Sequence, residues 1–542
     1  MCIRDRSLSA PVGLCDDPVN QTQIPLYVDF AKDGHLAVCG NATSGKSTFL
    51  QTLIWSLINM YTPAQLNVYA IDYSNHMLQA FEEDKHIGGI MYENDTEKTE
   101  KFFYMISDIL KNRKKTVRGG SFGQYIRAHG YVMPAIVAVI DNYSSFREKT
   151  DNKYESIIWE LSRDGAAFGI FLVISSGGFG SSEIQNKIAD NIRNVITLDM
   201  GDKLRYIDLL RTSHIDILPE QNRKGRGLVT ADGTILEFQT AVCMEADDDY
   251  ERSEKIKSAC EDMNLHFDGA GAAPVPEIPE KPTWFSLSEN PQFNEALETG
   301  DLLPFAYEQK TASLYSIDLS DTFCYAISGK SRSGRTETLK VIAAAAAQGN
   351  GDLCIIDSPD GQLKHFAAKL DCAYVSSREE LFDFAKELAE IFKTRNRKKR
   401  ELLESGAEDA EIYRKMCSER RKWIFVSDFA SFLETVYKSG EKIGSMAPFF
   451  ENILEKGRLH NIYFVFDINT DETVSMLSRK LYGTVSGYRT GVHLGGALSN
   501  QKIFDCSSIP YVEQTKVYKP GVGMAFDADG ATKIVLPSSK GV

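Results

Sequence analysis

One glycine-rich stretch constrains this chain more than any other feature. Its residues fit the pattern G-x-x-x-x-G-K-[ST], and they are Gly40, Asn41, Ala42, Thr43, Ser44, Gly45, Lys46 and Ser47, followed by Thr48. Residues 35–39 before it are predicted to form a short buried strand. Apolar residues after it recur at helical spacing until Pro63. Strand, glycine-rich loop and helix in this order are typical of a phosphate-binding loop.

The residue types of this loop suit a nucleoside triphosphate, ATP, with Mg²⁺. Glycines let backbone N–H groups turn toward phosphates, and the N-terminus of the following helix adds positive potential. Lys46 is predicted to reach the β- and γ-phosphates, and Ser47 to bind Mg²⁺ together with Asp141, which ends an apolar strand. The alternatives are a glycine-rich turn that binds nothing and a strand-end acid that caps a turn.

The residue after Asp141 is Asn142, and this bears on catalysis. Motor ATPases of the RecA-like class usually place glutamate there. Asparagine can hold a water molecule, but it cannot take its proton. Because a general base typically contributes roughly 10²- to 10⁴-fold, the sequence predicts nucleotide binding with slow hydrolysis, and it identifies no catalytic residue.

The order of landmarks in the first half recurs in the second. Predicted strands alternate with helices in both halves, which is typical of parallel βαβ units. A second loop of the same pattern comprises Gly329, Lys330, Ser331, Arg332, Ser333, Gly334, Arg335 and Thr336. We match Asp141 with Asp428, which Phe429 follows. Arginine in place of the loop lysine is not a conservative change, so weak nucleotide binding and a purely structural loop both stay open.

Length and composition set the domain organisation. A chain of 542 residues is too long for one hydrophobic core. We expect a first P-loop domain at residues 11–267, with a polar segment before a strand at 25–29. A Pro-rich linker at 268–284 and a degenerate second domain at 285–542 follow. Residues 1–10 are predicted to be disordered or a sequence artefact. The fold class predicted is α/β: two tandem RecA-like P-loop domains, each a mostly parallel sheet flanked by helices.

Several classes of function are disfavoured by composition. No apolar run approaches the ~18 residues of a membrane span. Ten cysteines without a C-x-x-C pair and nine scattered histidines predict no zinc site. The net charge of −14 argues against nucleic acid as the main partner. The basic run at 395–400 is flanked by glutamates, so we interpret it as a solvated helix face rather than a nucleic-acid patch. Arg163 and Arg193 are not assigned as arginine fingers.

Beyond the loop, the sequence resembles a specific family. It is similar to the FtsK/SpoIIIE-type ATPase domains of type VII (ESX) secretion proteins, the EssC/EccC family. The resemblance extends from about residue 11 to 537. Its motifs are PVGLCDDP (11–18), QTQIPLYVDFAKDGHLAVCGNATSGKSTFLQTL (21–53), VYAIDYSNHMLQAF (68–81), HIGGI (86–90), KNRKKT (111–116), AIVAVIDNY (135–143), GIFLVISS (169–176), GRGLV (225–229) and ILEFQ (235–239).

The resemblance implies a larger assembly. Such proteins carry three tandem ATPase domains after a membrane-anchoring part, and this chain resembles the second and third. It implies partners in an upstream ATPase domain and anchor of the same protein, other secretion components, and small helical WXG-type substrates. It also implies a homo-hexamer at the cytoplasmic face of the cell membrane. Where related DNA translocases carry Thr-Gln, this chain has Ser175 and Ser176, and Asp467 and Ile468 in the second copy.

The leading hypothesis is therefore an ATP-binding component of a secretion motor. Hydrolysis in its first domain would be weak or regulatory, and the second domain would be largely non-catalytic. Two alternatives stay open: a DNA translocase of the FtsK class, and a substrate-docking scaffold in which both loops are inert.

Overall fold

The computed structural model describes residues 8–220, 223–231 and 233–542. The chain divides into two compact units, Met1–Glu277 and Ile278–Val542. Each unit is built on one ten-stranded sheet. Residues 1–7, most of the segment predicted to be disordered or an artefact, lie outside the described part. The first strand already begins at Ser9.

The first unit has strand order β2-β1-β10-β9-β8-β3-β7-β6-β4-β5. From β8 to β5 neighbouring strands are parallel, and from β8 to β2 they are antiparallel. The strands are β1 (Ser9–Asp17), β2 (Thr22–Asp29), β3 (Leu36–Cys39), β4 (Leu66–Asp72), β5 (Ile87–Tyr92), β6 (Ala135–Asp141), β7 (Ile170–Ser176), β8 (Asn194–Thr197), β9 (Arg226–Ala231) and β10 (Thr234–Thr240).

Helices cover both faces of this sheet. The α-helices are α1 (Phe30–Asp33), α2 (Lys46–Met60), α3 (Thr96–Val117), α4 (Phe122–His129), α5 (Tyr143–Lys149), α6 (Glu155–Asp164), α7 (Asn186–Ala189), α8 (Lys203–Leu209) and α9 (Asp249–Leu265). The short 3₁₀ helices are Met77–Phe81 and Gly165–Phe168.

The strand β3 shows why the central strands read as unbroken apolar runs. Successive side chains of a strand point to opposite faces of the sheet. Leu36 and Val38 accordingly join the hydrophobic core on one face, and Ala37 and Cys39 join the core on the other. Burial on both faces requires continuous apolar sequence rather than alternation.

The second unit repeats this topology strand for strand. Its order is β12-β11-β20-β19-β18-β13-β17-β16-β14-β15, which is the first order with ten added to each number. The strands are β11 (Leu302–Glu308), β12 (Leu314–Asp318), β13 (Cys324–Gly329), β14 (Asp352–Ile356), β15 (Ala373–Val375), β16 (Lys422–Val426), β17 (Ile462–Asn469), β18 (Gly491–Leu494), β19 (Val522–Asp527) and β20 (Gly530–Val535).

The second unit is also flanked by helices. They are α10 (Trp284–Ser288), α11 (Pro291–Thr299), α12 (Arg335–Gln348), α13 (Lys364–Lys369), α14 (Arg378–Glu404), α15 (Asp409–Met416), α16 (Phe429–Tyr437), α17 (Ala447–Lys456), α18 (Thr473–Met476), α19 (Lys480–Tyr488) and α20 (Tyr511–Gln514), with 3₁₀ helices Thr470–Glu472 and Leu498–Asn500. The predicted fold class, two tandem P-loop domains with mostly parallel sheets flanked by helices, is confirmed.

The Pro-rich segment expected as a linker is partly packed onto the first unit. The Ala272 N–H donates to Lys85 O, and Tyr69 Oη donates to Ala273 O, both at 2.7 Å. Val275 is buried against the same strand region. Trp284 is already the first residue of α10 and is buried in the second unit.

None of the helices in the described ranges is long and apolar enough to cross a lipid bilayer.

Candidate nucleotide sites

The first glycine-rich loop lies at the carboxyl end of the parallel strands. It joins β3 to α2, and the Gly40 N–H donates to Ser176 O of the neighbouring strand at 3.2 Å. Gly45 has φ of 105°, a left-handed conformation that favours glycine, and it is the N-cap of α2. Because glycine has no capping side chain, the first N–H groups of α2 remain available to an anion.

Lys46 lies over this loop. Its Nζ donates to the carbonyl oxygens of Gly40 and Asn41, both at 2.8 Å. Burial lowers the pKa of the Lys46 ammonium, and the carboxylate of Asp141 opposes that lowering. A half-buried cation bonded only to carbonyls has capacity for the stronger, charge-assisted bonds that phosphate oxygens offer.

Asp141 is brought beside Ser47 by the sheet. Its Oδ2 accepts a hydrogen bond from Ser47 Oγ at 2.7 Å, and its Oδ1 accepts one from Ser175 Oγ on β7. Burial raises the pKa of the Asp141 carboxyl, although both serine hydroxyls act against this rise. A hydroxyl and a carboxylate are hard oxygen donors of the kind that Mg²⁺ prefers, so these residues fit that ion.

Asn142 is held by two hydrogen bonds to neighbouring strand ends. Its backbone φ is 60°, and its side-chain Nδ2 donates to Tyr73 O at 3.0 Å. Its backbone N–H donates to Ser175 Oγ at 2.9 Å. The amide that occupies the place of the usual glutamate therefore helps to tie β6 to the chain after β4.

Sequence reasoning missed two charged residues at this site. Arg205 on α8 donates from Nη1 to Asn41 Oδ1 and from Nη2 to Gly177 O, both at 2.8 Å. Glu183 lies in the loop after β7 and accepts hydrogen bonds from Ser144 and Ser176. Both come from segments without a recognisable spacing pattern. The only available signal was their position after strands that end beside the phosphate-binding loop.

The second loop has the same backbone form. Gly334 has φ of 97° and is the N-cap of α12, as Gly45 is of α2. Arg332 has φ of 63°, the same value as Thr43 in the first loop. The difference between the two loops therefore lies in side chains rather than in the path of the chain.

Carboxylates of the second unit fill its own loop. Arg335 forms an ion pair with Asp467, and Thr336 Oγ1 donates to the same carboxylate at 3.4 Å. The Ser331 N–H donates to Asp471 Oδ2 at 3.3 Å. The Arg335 guanidinium, the Thr336 hydroxyl and the Ser331 N–H are the groups that would otherwise face a phosphate or a metal ion. The adjoining cavity of about 160 Å³ is lined by further acids, which disfavours an anionic ligand.

Our match of Asp141 with Asp428 is off by one residue. In the first sheet Asp141 lies opposite Asp72; in the second sheet β14 and β16 pair in a register that places Ser427 beside Asp357. Ser427 Oγ donates to Asp357 Oδ1 at 2.6 Å. Asp428 instead caps α16 by accepting from the Ser431 N–H and hydroxyl. The acid of the second site is therefore Asp467, on β17, where the first unit has Ser175.

The buried ion pair of Arg335 with Asp467 predicts that the stability of the second unit depends on pH. Burial raises the pKa of Asp467 to about 7 from 3.8, and the neighbouring Arg335 only partly opposes this. Because the folded state holds the proton more tightly, this group's stabilising contribution is complete below pH 4 and is lost as pH rises toward 7. The loss is at most about 4 kcal/mol at 1.36 kcal/mol per pKa unit.

Hydrogen exchange of the β16 amides at pH 5 and pH 8 measures this effect. The unfolding free energy of wild type should exceed that of Asp467→Asn by more at pH 5 than at pH 8. A difference between the two proteins that does not change with pH would contradict the assignment.

The basic run at 395–400 is not simply a solvated face. Arg395 is buried, and its guanidinium donates to the carbonyl oxygens of His460, Asn461 and Arg420. Lys398 pairs with Glu419, while Arg397 is exposed. The interpretation is wrong for Arg395 because a guanidinium can satisfy several carbonyls at once, which charge patterning along one helix does not reveal.

Comparison with known proteins agrees with this geometry. The FtsK/SpoIIIE family model matches residues 4–242. The ESX secretion system protein EccC of Geobacillus thermodenitrificans is 25% identical to this chain over 393 residues, which are 71% of this chain. The ESX secretion system protein YukB of Bacillus subtilis is 24% identical over 70%.

Solved structures extend the likeness to both units. EssC (ATPases 2 and 3) of Geobacillus thermodenitrificans has a TM-score of 0.76 and 20% identity, and the match covers 99% of this chain and 97% of that one. Thermomonospora curvata EccC (ATPases 2 and 3), solved with a signal sequence peptide, has a TM-score of 0.59 and 21% identity, covering 99% and 94%. The predicted resemblance to the second and third ATPase domains of EssC/EccC proteins is confirmed.

The curated relatives are longer proteins than this chain. The chain spans about a quarter of the length of the curated relatives it matches, 26% for EccC and 25% for YukB. Both relatives are named as proteins of ESX secretion systems.

Proposed function

We propose that this chain is the ATP-binding part of a type VII secretion motor. The first unit binds ATP with Mg²⁺ through Lys46, Ser47 and Asp141, and it hydrolyses ATP slowly. The second unit binds no nucleotide. The contrast that carries this proposal is between Lys46, which among the described residues is bonded only to loop carbonyls, and Arg335, which is paired with a buried carboxylate.

The same proposal places the chain in a larger protein. An upstream ATPase domain and a membrane anchor would precede it, and six copies would assemble at the cytoplasmic face of the membrane with other secretion components. One solved relative is described in complex with a signal sequence peptide. By analogy, the chain would recognise small helical WXG-type proteins and help to export them. Its acidic net charge of −14 fits a protein substrate better than DNA.

A peptide-binding measurement and an ATP hydrolysis measurement test this function. Fluorescent peptides from the C-terminal ends of WXG-type proteins should bind the purified chain with saturable anisotropy changes, and their scrambled counterparts should not. Duplex DNA should leave the ATP hydrolysis rate unchanged. DNA-stimulated hydrolysis without peptide binding would favour the FtsK-class translocase. Absence of both, together with no thermal shift on adding Mg-ATP, would favour an inert scaffold.

A further inference from the structure

The loop after β7 carries an acid back to the phosphate-binding loop. Gly180 N–H donates to Ile184 O at 2.9 Å, and Ile184 N–H donates to Gly178 O at 3.3 Å, so the loop closes on itself. This turn places Glu183 at the end of β7. Its Oε2 accepts from the hydroxyls of Ser144 and Ser176 and from the Gly177 N–H at 2.9 Å.

These contacts tie the Glu183 carboxylate to α5, which follows Asp141, and to the end of β7, which contacts the phosphate-binding loop. Ser144 follows Asp141 by three residues on α5, and Ser176 accepts the Gly40 N–H through its carbonyl oxygen. Burial tends to raise the pKa of Glu183, but the three donors to Oε2 and the charge of Arg205 act against it, and the net effect is a lowered pKa. The group is therefore ionised at neutral pH, and its charge acts on the Lys46 ammonium.

The other carboxylate oxygen is left for a ligand. Oε1 of Glu183 accepts no hydrogen bond from any residue that the structure describes, and the side chain is only half-buried. Gly177 makes room for it, because a Cβ at that position would lie 2.7 Å from Oε1. An anchored carboxylate with one open oxygen is the arrangement that positions and deprotonates a water molecule.

We propose that Glu183 is the catalytic carboxylate of the first unit and that it replaces the glutamate missing at Asn142. This inference rests on the proposed binding of ATP at Lys46. Glu183 Oε1 accepts a proton from water as the water oxygen bonds to the γ-phosphorus. The bond from that phosphorus to the β,γ-bridging oxygen breaks, and ADP leaves with the electron pair. Glu183 then returns the proton to solvent.

The position of Arg205 is consistent with this role. Its guanidinium joins Asn41 of the phosphate-binding loop to the carbonyl of Gly177, directly beside the acid. It therefore supplies positive charge where negative charge develops during phosphoryl transfer. It also keeps the end of β7, and with it Glu183, in register with the loop.

The test compares Glu183→Gln and Gly177→Ala with Glu254→Gln, the same acid-to-amide change on the exposed surface of α9. Labelled ATP should bind Glu183→Gln as tightly as wild type, within about twofold. Single-turnover hydrolysis should fall by roughly 100-fold, the lower end of what a general base contributes. Nucleotide retained on purification should shift from ADP to ATP. Gly177→Ala should displace the carboxylate and slow hydrolysis in the same direction.

Each result has a distinct meaning. If wild type binds no ATP, the proposed function fails before the role of Glu183 is reached. If both proteins bind ATP and hydrolyse it at equal rates, including rates too low to detect in either, the role of Glu183 is overturned. Equal thermal unfolding midpoints for Glu183→Gln and wild type show that the folded site is being compared.

Discussion

Lys46→Ala is expected to lower the affinity of the chain for Mg-ATP by roughly 100-fold or more. Each charge-assisted hydrogen bond to a phosphate contributes about 1.5–3 kcal/mol, and 1.4 kcal/mol corresponds to a tenfold change. Lys46 is the loop residue placed to make such bonds to two phosphates. Wild type should bind one ATP per chain, because in the part of the chain that the structure describes the cation of the first loop is bonded to carbonyls and that of the second loop to a carboxylate. Equilibrium binding of radiolabelled ATP measures both quantities.

The chain contains its own matched control at the same loop position. Arg335→Lys restores the motif lysine in the second unit and keeps a cation beside Asp467. We expect it to leave the stoichiometry at one, because Asp467 and Asp471 still occupy the loop. Two ATP molecules per wild-type chain, or a second one gained by Arg335→Lys, would contradict the view that carboxylates close this site. Equal binding by Lys46→Ala and wild type would contradict the first site.

The proximity of Lys46, Ser47 and Asp141 could be predicted from sequence for a physical reason. The carboxyl ends of neighbouring parallel strands meet at one edge of the sheet, so a loop after β3 and an acid at the end of β6 must approach each other. The strands β3, β4, β6 and β7 are recognisable because burial on both faces favours apolar residues at successive positions.

Other parts of the site could not be predicted in this way. Glu183 lies in the loop after β7 and Arg205 on the short helix α8, and only tertiary contacts distinguish them from other surface charges. The match of Asp141 with Asp428 was wrong by one position, because the sheet register matches Asp141 with Ser427. A strand-end acid and a helix-capping acid look identical in sequence, and only the pairing of β14 with β16 distinguishes them. The sequence does not reveal the strand β1 because its second half has exposed or half-buried residues at positions 14, 16 and 17.

Replacing Arg113 or Arg395 by alanine is expected to destabilise the unit that contains it by roughly 3 kcal/mol or more. Arg113 is buried, and its guanidinium donates to the carbonyl oxygens of Phe168, Gly169 and Pro134 at 2.6–3.1 Å. Burial lowers the pKa of Arg113 to about 10, so it stays charged at neutral pH. Each buried acceptor left without its donor costs at least about 1 kcal/mol.

Arg395 performs the same task in the second unit, where it holds the chain before β16 and β17. The sequence suggests a different equivalence, because Asn-Arg-Lys-Lys at 112–115 recurs at 396–399 and would match Arg113 with Arg397. Arg397 is exposed, and so is Lys111 on α3.

Hydrogen exchange of β6 and β16 amides measures the free energy of unfolding of each unit. Arg113→Ala and Arg395→Ala should each lower it strongly, and only in the unit that contains the substitution. Lys111→Ala and Arg397→Ala should change stability by less than about 0.5 kcal/mol, as is usual for exposed residues. A larger effect for Arg397→Ala than for Arg395→Ala would mean that the repeated motif, and not the position in the fold, carries this structural role.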